Sequence, residues 1–404
     1  MKNSSLQGLT ILRFMLDPRV IGGAALDVEI LDRAMAQRQE VHLHKVFLTP
    51  KPSSSWTETI GASTLSYHPV CFDEHDAGSN PERIVASLRG ALDTIALRHQ
   101  PDLIANHVPE IAPGVMVCEF AKENGIPLFI QLHGGEMPRM EVPPEHRLML
   151  DEVVKHFNKS ARLADIVTAV SDSANHLVPH RTVRNLWTGA DPRFYDPSSV
   201  QPGYLRDRFD IIPGHRIIVL PARIVIEKGH KILLDALQVL FNKAMDFRVF
   251  FIGSATPQMR EQLDDYMLRN NFSGVVHNIY NATQDEMRAI YRDADIVALP
   301  GYHFEGCPRC LLEAQLMETP VVASDSGGTR EAFVPGETGF LFPVGDHHAL
   351  ADALEPLLLD ADLRETMGKA GRSHVMARFD LDALAQRHEA VYRELAERPT
   401  AVSA

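Results

Sequence analysis

Tyr302-His303-Phe304-Glu305-Gly306-Cys307-Pro308-Arg309-Cys310-Leu311-Leu312-Glu313-Ala314 lies between a short apolar run, Ile296–Pro300, and a helical pattern, Cys310–Glu318. The run has the length of a strand, and Gly306 and Pro308 punctuate the turn. The spacing predicts a helix beginning near Arg309, with Pro308 at or just before its first turn. Strand, short loop and helix make the repeating unit of a parallel sheet covered on both faces. The free N–H groups and positive dipole end of such a helix suit a phosphate. Glu305 would then lie in the loop before those amides, and Glu313 about one turn into the helix. Carboxylates accept but do not donate, and each can take two hydroxyl donors. The pair could therefore serve a sugar at one end of a ligand and a ribose at the other. Taken alone, it reads instead as a solvated loop residue and a glutamate that complements the helix dipole.

The same unit recurs outward in both directions. Towards the N-terminus, strand-like runs are Leu9–Leu16, Val41–Leu48, Leu103–Asn106, Leu128–Leu132, Ile166–Val170 and Thr182–Asn185. A second series comprises Ile217–Pro221, Phe247–Ile252, Val275–Ile279, Ile296–Pro300 and Val321–Ser324. Helical patterns such as Ala24–Gln39, Pro81–His99, Glu145–Ala164, Lys231–Lys243, Pro257–Asn270 and Gln284–Asp293 lie between them. The predicted class is α/β, with two Rossmann-like domains of parallel strands. Pro192, Pro197, Pro202 and Pro213 mark a break. It divides the chain into an N-terminal domain (1–190), a linker (191–214) and a C-terminal domain (215–379), with a last helix at about 380–398 completing the first domain. Ligands of such sheets bind at the carboxyl ends of the strands, so facing strand ends would make an interdomain cleft.

Bulk properties exclude several classes. A chain of 404 residues is too long for one core. Its 40 basic and 53 acidic residues leave a formal charge of −13, which does not suit a general nucleic-acid binder. No window approaches the roughly 18–20 apolar residues that span a bilayer. The polar start, Met1–Gln7, and the short, interrupted run after it read as neither signal peptide nor anchor. Four cysteines in a chain this long make no disulfide framework. The expectation is a cytoplasmic enzyme without stable membrane insertion, monomeric or homodimeric.

Glu305 and Glu313, separated by seven residues, are followed by Ala314-Gln-Leu-Met-Glu-Thr-Pro-Val-Val-Ala-Ser-Asp-Ser-Gly-Gly-Thr-Arg-Glu331. Pro335-Gly-Glu-Thr-Gly-Phe-Leu-Phe342 comes next, and Pro221-Ala-Arg223-Ile-Val-Ile-Glu-Lys228-Gly-His230 precedes them. This ordered set resembles the retaining glycosyltransferases of family 4, which have the GT-B fold. The likeness is close from Ile217 onward and loose before it. It implies a nucleoside diphosphate sugar as donor, with UDP as the carrier. Arg223 and Lys228 would stabilise the charge that builds on the leaving diphosphate. Glu313 would hold the ribose and Glu305 the sugar. Backbone amides near Cys310, Leu311 and Leu312 would complete a cradle with Gly306, Cys307 and Pro308. Gly253, after the second strand of this series, belongs to the same donor pocket.

In the N-terminal half, Gly22-Gly23 precedes the helical pattern at Ala24, where glycines allow close approach to a phosphate or acceptor. The pair is not a Gly-x-Gly-x-x-Gly fingerprint, which disfavours a dinucleotide oxidoreductase. His133 follows the strand Leu128–Leu132, where the family places a histidine against the transferred sugar or the acceptor. His107, after another strand, is a weaker acceptor-side candidate. Asn185-Leu-Trp-Thr-Gly-Ala-Asp191 departs from the family's Asn-Gly-Val-Asp pattern and gives a bulkier crossover loop.

Cys307-Pro-Arg-Cys310 has the spacing of a redox motif at a helix start, but Cys71 and Cys118 are too distant to complete a zinc site. Packing around the phosphate site is the favoured reading. Asp293-Ala-Asp295, Asp360-Ala-Asp362 and Asp380-Leu-Asp382 spell a metal motif, but none follows a strand at the sheet's carboxyl edge. No obligatory metal or cofactor is expected.

The expected reaction moves a sugar to a hydroxyl of a soluble saccharide or small molecule. Trp56–His75 and Gly134–Arg147 are read as the loops that choose the acceptor. The mixed charge of Glu145–Ala164 does not suit a lipid surface. Rivals are a GT-B nucleotide-sugar epimerase, transfer to a lipid-linked or polysaccharide acceptor, a glycosidase and a non-catalytic nucleotide-sugar-binding subunit.

Overall fold

The computed structural model describes residues 8–19, 23–73, 81–134, 144–173, 183–243, 245–302 and 305–398; the side chains of Pro81 and 144–150 are not among them. The chain divides into two units, Met1–Trp187 with Leu381–Ala404, and Thr188–Asp380. The strands are β1 (Leu9–Phe14), β2 (Val41–Thr49), β3 (Trp56–Ile60), β4 (Ser63–Cys71), β5 (Leu103–Asn106), β6 (Leu128–Leu132), β7 (Ile166–Ala169), β8 (Val183–Asn185), β9 (Arg216–Pro221), β10 (Phe247–Ile252), β11 (Val276–Ile279), β12 (Ile296–Leu299), β13 (Val321–Ser324) and β14 (Gly339–Phe342). The helices are α1 (Gly23–Arg38), α2 (Pro81–His99), α3 (Ala112–Glu123), α4 (Pro144–Leu163), α5 (Tyr204–Arg208), α6 (His230–Phe241), α7 (Pro257–Arg269), α8 (Gln284–Asp293), α9 (Arg309–Leu316), α10 (His347–Leu359), α11 (Ala361–Arg378) and α12 (Leu381–Ala396).

The first unit holds an eight-stranded sheet in the order β3-β4-β2-β1-β5-β6-β7-β8. It is parallel except for the β3–β4 hairpin. That hairpin corrects the reading of Trp56–His75 as a loop. The polar residues of Thr57-Glu58-Thr59 hide a period-two pattern in which Trp56 and Tyr67 stack, ring centroids 4.5 Å apart. Gly61, at φ +60°, makes the turn. Helix α12 buries Leu381, Ala385, Tyr392 and Leu395 in this unit's core, against Ile11, Met35 and Phe129.

The second unit is a six-stranded parallel sheet, β11-β10-β9-β12-β13-β14. Ile217, Ile218, Val219 and Leu220 are successive, fully buried residues of β9. That continuity marks a strand covered on both faces, each side chain contributing about 1.5–3 kcal/mol by its burial. The proline-rich segment 191–214, expected as a linker, packs within this unit. Asp293 accepts the amides of Gly203 and Leu205, both at 2.6 Å, and caps the start of α5. Tyr204 donates to Glu286 at 2.8 Å. Its prolines therefore shape a short 3-10 turn and the entry to α5 rather than a free connector.

Both sheets are wound outward from the middle, and strand order reverses between β1 and β5 and between β9 and β12. These switch points open crevices at the carboxyl ends of the strands. Among the described residues, no helix is long and apolar enough to cross a membrane.

Candidate functional site

In the second unit, three loops meet at the switch point, after β9, β10 and β12. Two glycines bring them together. A Cβ on Gly253 would stand 2.1 Å from the Ala222 carbonyl oxygen, so only glycine allows the β10 loop to lie against the β9 loop. The Ile224 amide donates to the Ser254 carbonyl at 2.8 Å and fixes that contact. Gly229 has φ +73°, and a Cβ there would lie 2.1 Å from the Pro300 carbonyl oxygen. The Tyr302 amide donates to the Glu227 carbonyl at 3.1 Å.

This locking sets Lys228, after β9, directly on Glu305, after β12. The Lys228 ammonium is ion-paired to Glu305 Oε1, and both side chains are mostly buried. The Glu305 carbonyl accepts the Gly328 amide at 2.7 Å, which ties the loop to the segment after β13. Arg223 stands exposed on the same β9 loop. Its guanidinium has no ion-pair partner among the described residues. Among the described residues, the site thus offers a cation without an ion-pair partner, a cation shared with a carboxylate, and a carboxylate acceptor.

Helix α9 begins at Arg309 with Pro308 as its N-cap, and Pro308 supplies no side-chain cap. Gly306, Cys307, Pro308, Leu311 and Leu312 are buried, so their contribution to a ligand is through backbone. The Leu311 amide donates to the Pro308 carbonyl at 3.1 Å and is already used within the turn. Glu313 is more enclosed than the sequence suggests. Its Oε1 takes the Arg309 guanidinium at 2.7 Å, and its Oε2 takes the Tyr291 hydroxyl at 3.1 Å. Arg309 also donates to the Gly189 carbonyl at 3.1 Å. Burial, with Glu313 alongside, holds the Tyr195 and Tyr291 phenols well above their ordinary range. Arg309 had not been singled out from sequence. Its signal is an i, i+4 spacing to Glu313.

Cys307 and Cys310 are thiols that take part in no disulfide among the described residues. Burial pushes Cys310 up to about 12, with Glu313 and Glu305 adding to it, so it is a thiol and not a thiolate at neutral pH. The helix start therefore does not activate it. Asp293 is used as the cap of α5. Asp295 accepts the Ile217 amide at 2.9 Å and pairs with Arg364 at 3.2 Å and Arg216 at 3.4 Å. Asp360 caps α11 through the Leu363 amide at 2.9 Å.

In the first unit, Gly22 lies outside the described residues. Gly23 opens α1, and a Cβ on it would meet nothing within 4 Å. His133 and His107 follow adjacent strands and touch: His107 Nδ1 lies 2.9 Å from His133 Nε2. Behind them is a buried charge cluster that the sequence reading did not single out. Arg13 pairs with Asp32 at 2.7 Å, Lys45 with Asp32 at 3.1 Å and with Glu29 at 2.7 Å, and Tyr67 donates to Glu29 at 2.6 Å. The available signal was a cation inside each of two apolar strands, Arg13 in β1 and Lys45 in β2.

Residues 205–374 match the family model described as Glycosyl transferases group 1. A D-inositol 3-phosphate glycosyltransferase of Corynebacterium diphtheriae is 31% identical over 245 residues, which are 58% of this chain and 57% of that protein. The chain spans about half the length of the curated relatives it matches. Sucrose-phosphate synthase from Thermosynechococcus elongatus shares the fold with a TM-score of 0.81 at 20% identity, covering 96% of this chain and 99% of that one. Anabaena HepE, in complex with UDP-glucose, does so with a TM-score of 0.75 at 18% identity, covering 96% and 100%. The fold is GT-B, two Rossmann-like α/β units.

Proposed function

We propose, for a chain whose residues 205–374 match the glycosyl transferases group 1, that it transfers a sugar from a nucleoside diphosphate donor to an acceptor hydroxyl, with retention of anomeric configuration. The observation that carries this reading is Lys228 held on Glu305 at the β9–β12 switch point, with Arg223 exposed on the same β9 loop. A diphosphate leaving group gains negative charge as its bond to the sugar C1 breaks. Cations already in place stabilise that charge more in the transition state than in the ground state. Glu305 holds Lys228 in position and keeps acceptor capacity for sugar hydroxyls. Arg309 and Tyr291 hold the Glu313 carboxylate rigid, and its remaining lone pairs suit ribose hydroxyls. The new bond joins the acceptor oxygen to C1 on the face the phosphate leaves, and the acceptor proton passes to the departing phosphate oxygen.

UDP is the proposed carrier, in keeping with the UDP-glucose complex of the structurally similar Anabaena protein. The proposed acceptor is a soluble saccharide or small molecule, in line with the inositol phosphate named for the corynebacterial relative. Thermal denaturation across a panel of nucleotide sugars tests the donor. A matching donor at a hundred times its dissociation constant adds ~2.7 kcal/mol of stability, and no stabilisation by any donor would remove the basis of the reading. NMR of the product's anomeric centre tests retention: an inverted product would contradict it.

A further inference from the structure

The histidine pair of the first unit has a determined proton arrangement, because one end of the chain of contacts cannot accept. Arg13 is fully buried in β1, and its Nη1 hydrogen-bonds His107 Nε2. A guanidinium only donates, so His107 Nε2 must present a lone pair. A neutral imidazole has one proton, which His107 then carries on Nδ1. That nitrogen is 2.9 Å from His133 Nε2. His133 Nε2 must in turn accept, which places the His133 proton on Nδ1. His133 Nδ1 is buried and has no hydrogen-bond partner among the described residues.

We propose that Arg13 and His107 act as a tautomer relay that fixes His133 with its proton on Nδ1, so that its open nitrogen donates to a ligand oxygen and cannot act as a base. Arg13 and His107 are thus positioning residues for His133. The ligand oxygen is a hydroxyl or phosphate oxygen of a substrate bound at the first unit, and in that respect the inference rests on the proposed transferase reading.

The surroundings favour this state. Arg13 is held from behind by Asp32 at 2.7 Å and by the Tyr392 hydroxyl at 3.1 Å. Asp32 is itself shared with Lys45, and Arg13 could turn away only by giving up its own ion pair while still buried. His388, the other imidazole facing the pair, is tied through Nδ1 to the Leu384 carbonyl at 3.0 Å. Burial, with Arg13 and the neighbouring imidazoles adding to it, holds His107 well below its usual range. Burial, then His388 and Arg13, holds His133 at about 3. Neither ring is an imidazolium near neutrality, which the tautomer argument requires. Four charged groups in a core are a costly way to fill space. Orienting one imidazole donor is a role for them that apolar packing cannot reproduce.

The test is a long-range proton–nitrogen correlation spectrum of the full chain labelled with 15N-histidine at neutral pH. Single variants His107→Asn and His133→Asn assign the two rings. Both rings should show a protonated Nδ1 and a bare Nε2. A His133 ring protonated on Nε2, averaged between nitrogens, or titrating as an imidazolium above about pH 5, would overturn the proposal. A second comparison uses the shapes of two amides. Asparagine places an N–H where His107 has Nδ1, and glutamine does not. His133 should keep its tautomer in His107→Asn and lose it in His107→Gln; an unaltered His133 in both variants would also overturn the relay. UDP-glucose and D-inositol 3-phosphate are then titrated separately into the labelled wild type. A shift of the His133 signals by one of them is expected; if neither shifts them, the assignment of the His133 donor to a substrate oxygen is overturned.

Discussion

The Lys228 ammonium rests on the Glu305 carboxylate, a contact between residues 77 apart in the chain that spans the switch point of the second sheet. Neither residue is free to act as an isolated charge. Glu305 aims the lysine at a ligand that is itself an anion. Lys228→Met should lower kcat/KM by one to two orders of magnitude. That is the loss of one charge-assisted hydrogen bond, ~1.5–3 kcal/mol, at tenfold for each ~1.4 kcal/mol. Because both side chains are mostly buried, removing the lysine also leaves Glu305 without its cation, and stability should fall by about 1–3 kcal/mol. Steady-state kinetics and thermal denaturation of the same preparation check both halves.

Glu313 behaves differently because it is enclosed. Glu313→Gln leaves the buried Arg309 guanidinium without its anion, a change that costs about 3–5 kcal/mol when a buried pair is broken from one side. The variant should lose stability as well as nucleotide affinity. Arg309→Met with Glu313→Gln should recover part of the stability and none of the affinity. A double-mutant cycle by urea unfolding and nucleotide titration separates the two effects. Equal additivity in both would show that Arg309 and Glu313 do not act as a unit.

The two tested glycines should part company. In Gly253→Ala the new Cβ meets the Ala222 carbonyl at 2.1 Å. The β9 loop must move, with a loss of about 1–3 kcal/mol and displacement of Arg223. In Gly23→Ala nothing lies within 4 Å of the new Cβ. Stability should hold or rise by about 0.5–1 kcal/mol, the usual preference for alanine in a helix. Chemical denaturation distinguishes them, and a matched loss in both would contradict the packing argument.

Acid should destabilise the fold well before its carboxylates titrate. Burial holds His44 and His133 at about 3 and His230 and His388 at about 4, against an ordinary value of 6.5. The unfolded chain takes up these protons first. The stabilisation is therefore complete above about pH 6.5 and is lost as the pH falls towards the folded values. Each buried ring contributes on the order of 1 kcal/mol of this loss by about pH 5.5. Urea midpoints at pH 7.5 and 5.5 measure it, and equal midpoints would refute it.

Cys310, pushed up to about 12, should resist alkylation in the folded protein at pH 8, while exposed Cys71 reacts. Mass spectrometry after brief iodoacetamide treatment reads the difference. Fast modification of Cys310 would revive a redox role for the Cys307–Cys310 spacing.

Much of this architecture was legible in the sequence because buried parallel strands announce themselves. Ile217–Leu220 and Val249–Ile252 are continuous apolar runs, and Pro308 beside Arg309 marks a helix start. The edge hairpin at Trp56–Cys71 was missed because an edge strand carries polar residues on its open face. Segment 191–214 was misread because proline density signals a break in helices and strands and says nothing about packing. At the site, the residue types around Glu305 were readable, but their partners were not. That Lys228 lies on Glu305 and Arg13 on His107 depends on contacts between loops or across 94 residues of chain, which no local pattern encodes, whereas the i, i+4 spacing of Arg309 and Glu313 was there to be read.

The most direct test of the central claim compares UDP with uridine on wild type and Lys228→Met by calorimetric titration. A diphosphate seated at the ends of β9 and β12 predicts that the variant loses roughly ten- to hundredfold in UDP affinity while uridine binding is unchanged. Equal UDP affinity in the two proteins would contradict that placement, as would a parallel loss for uridine.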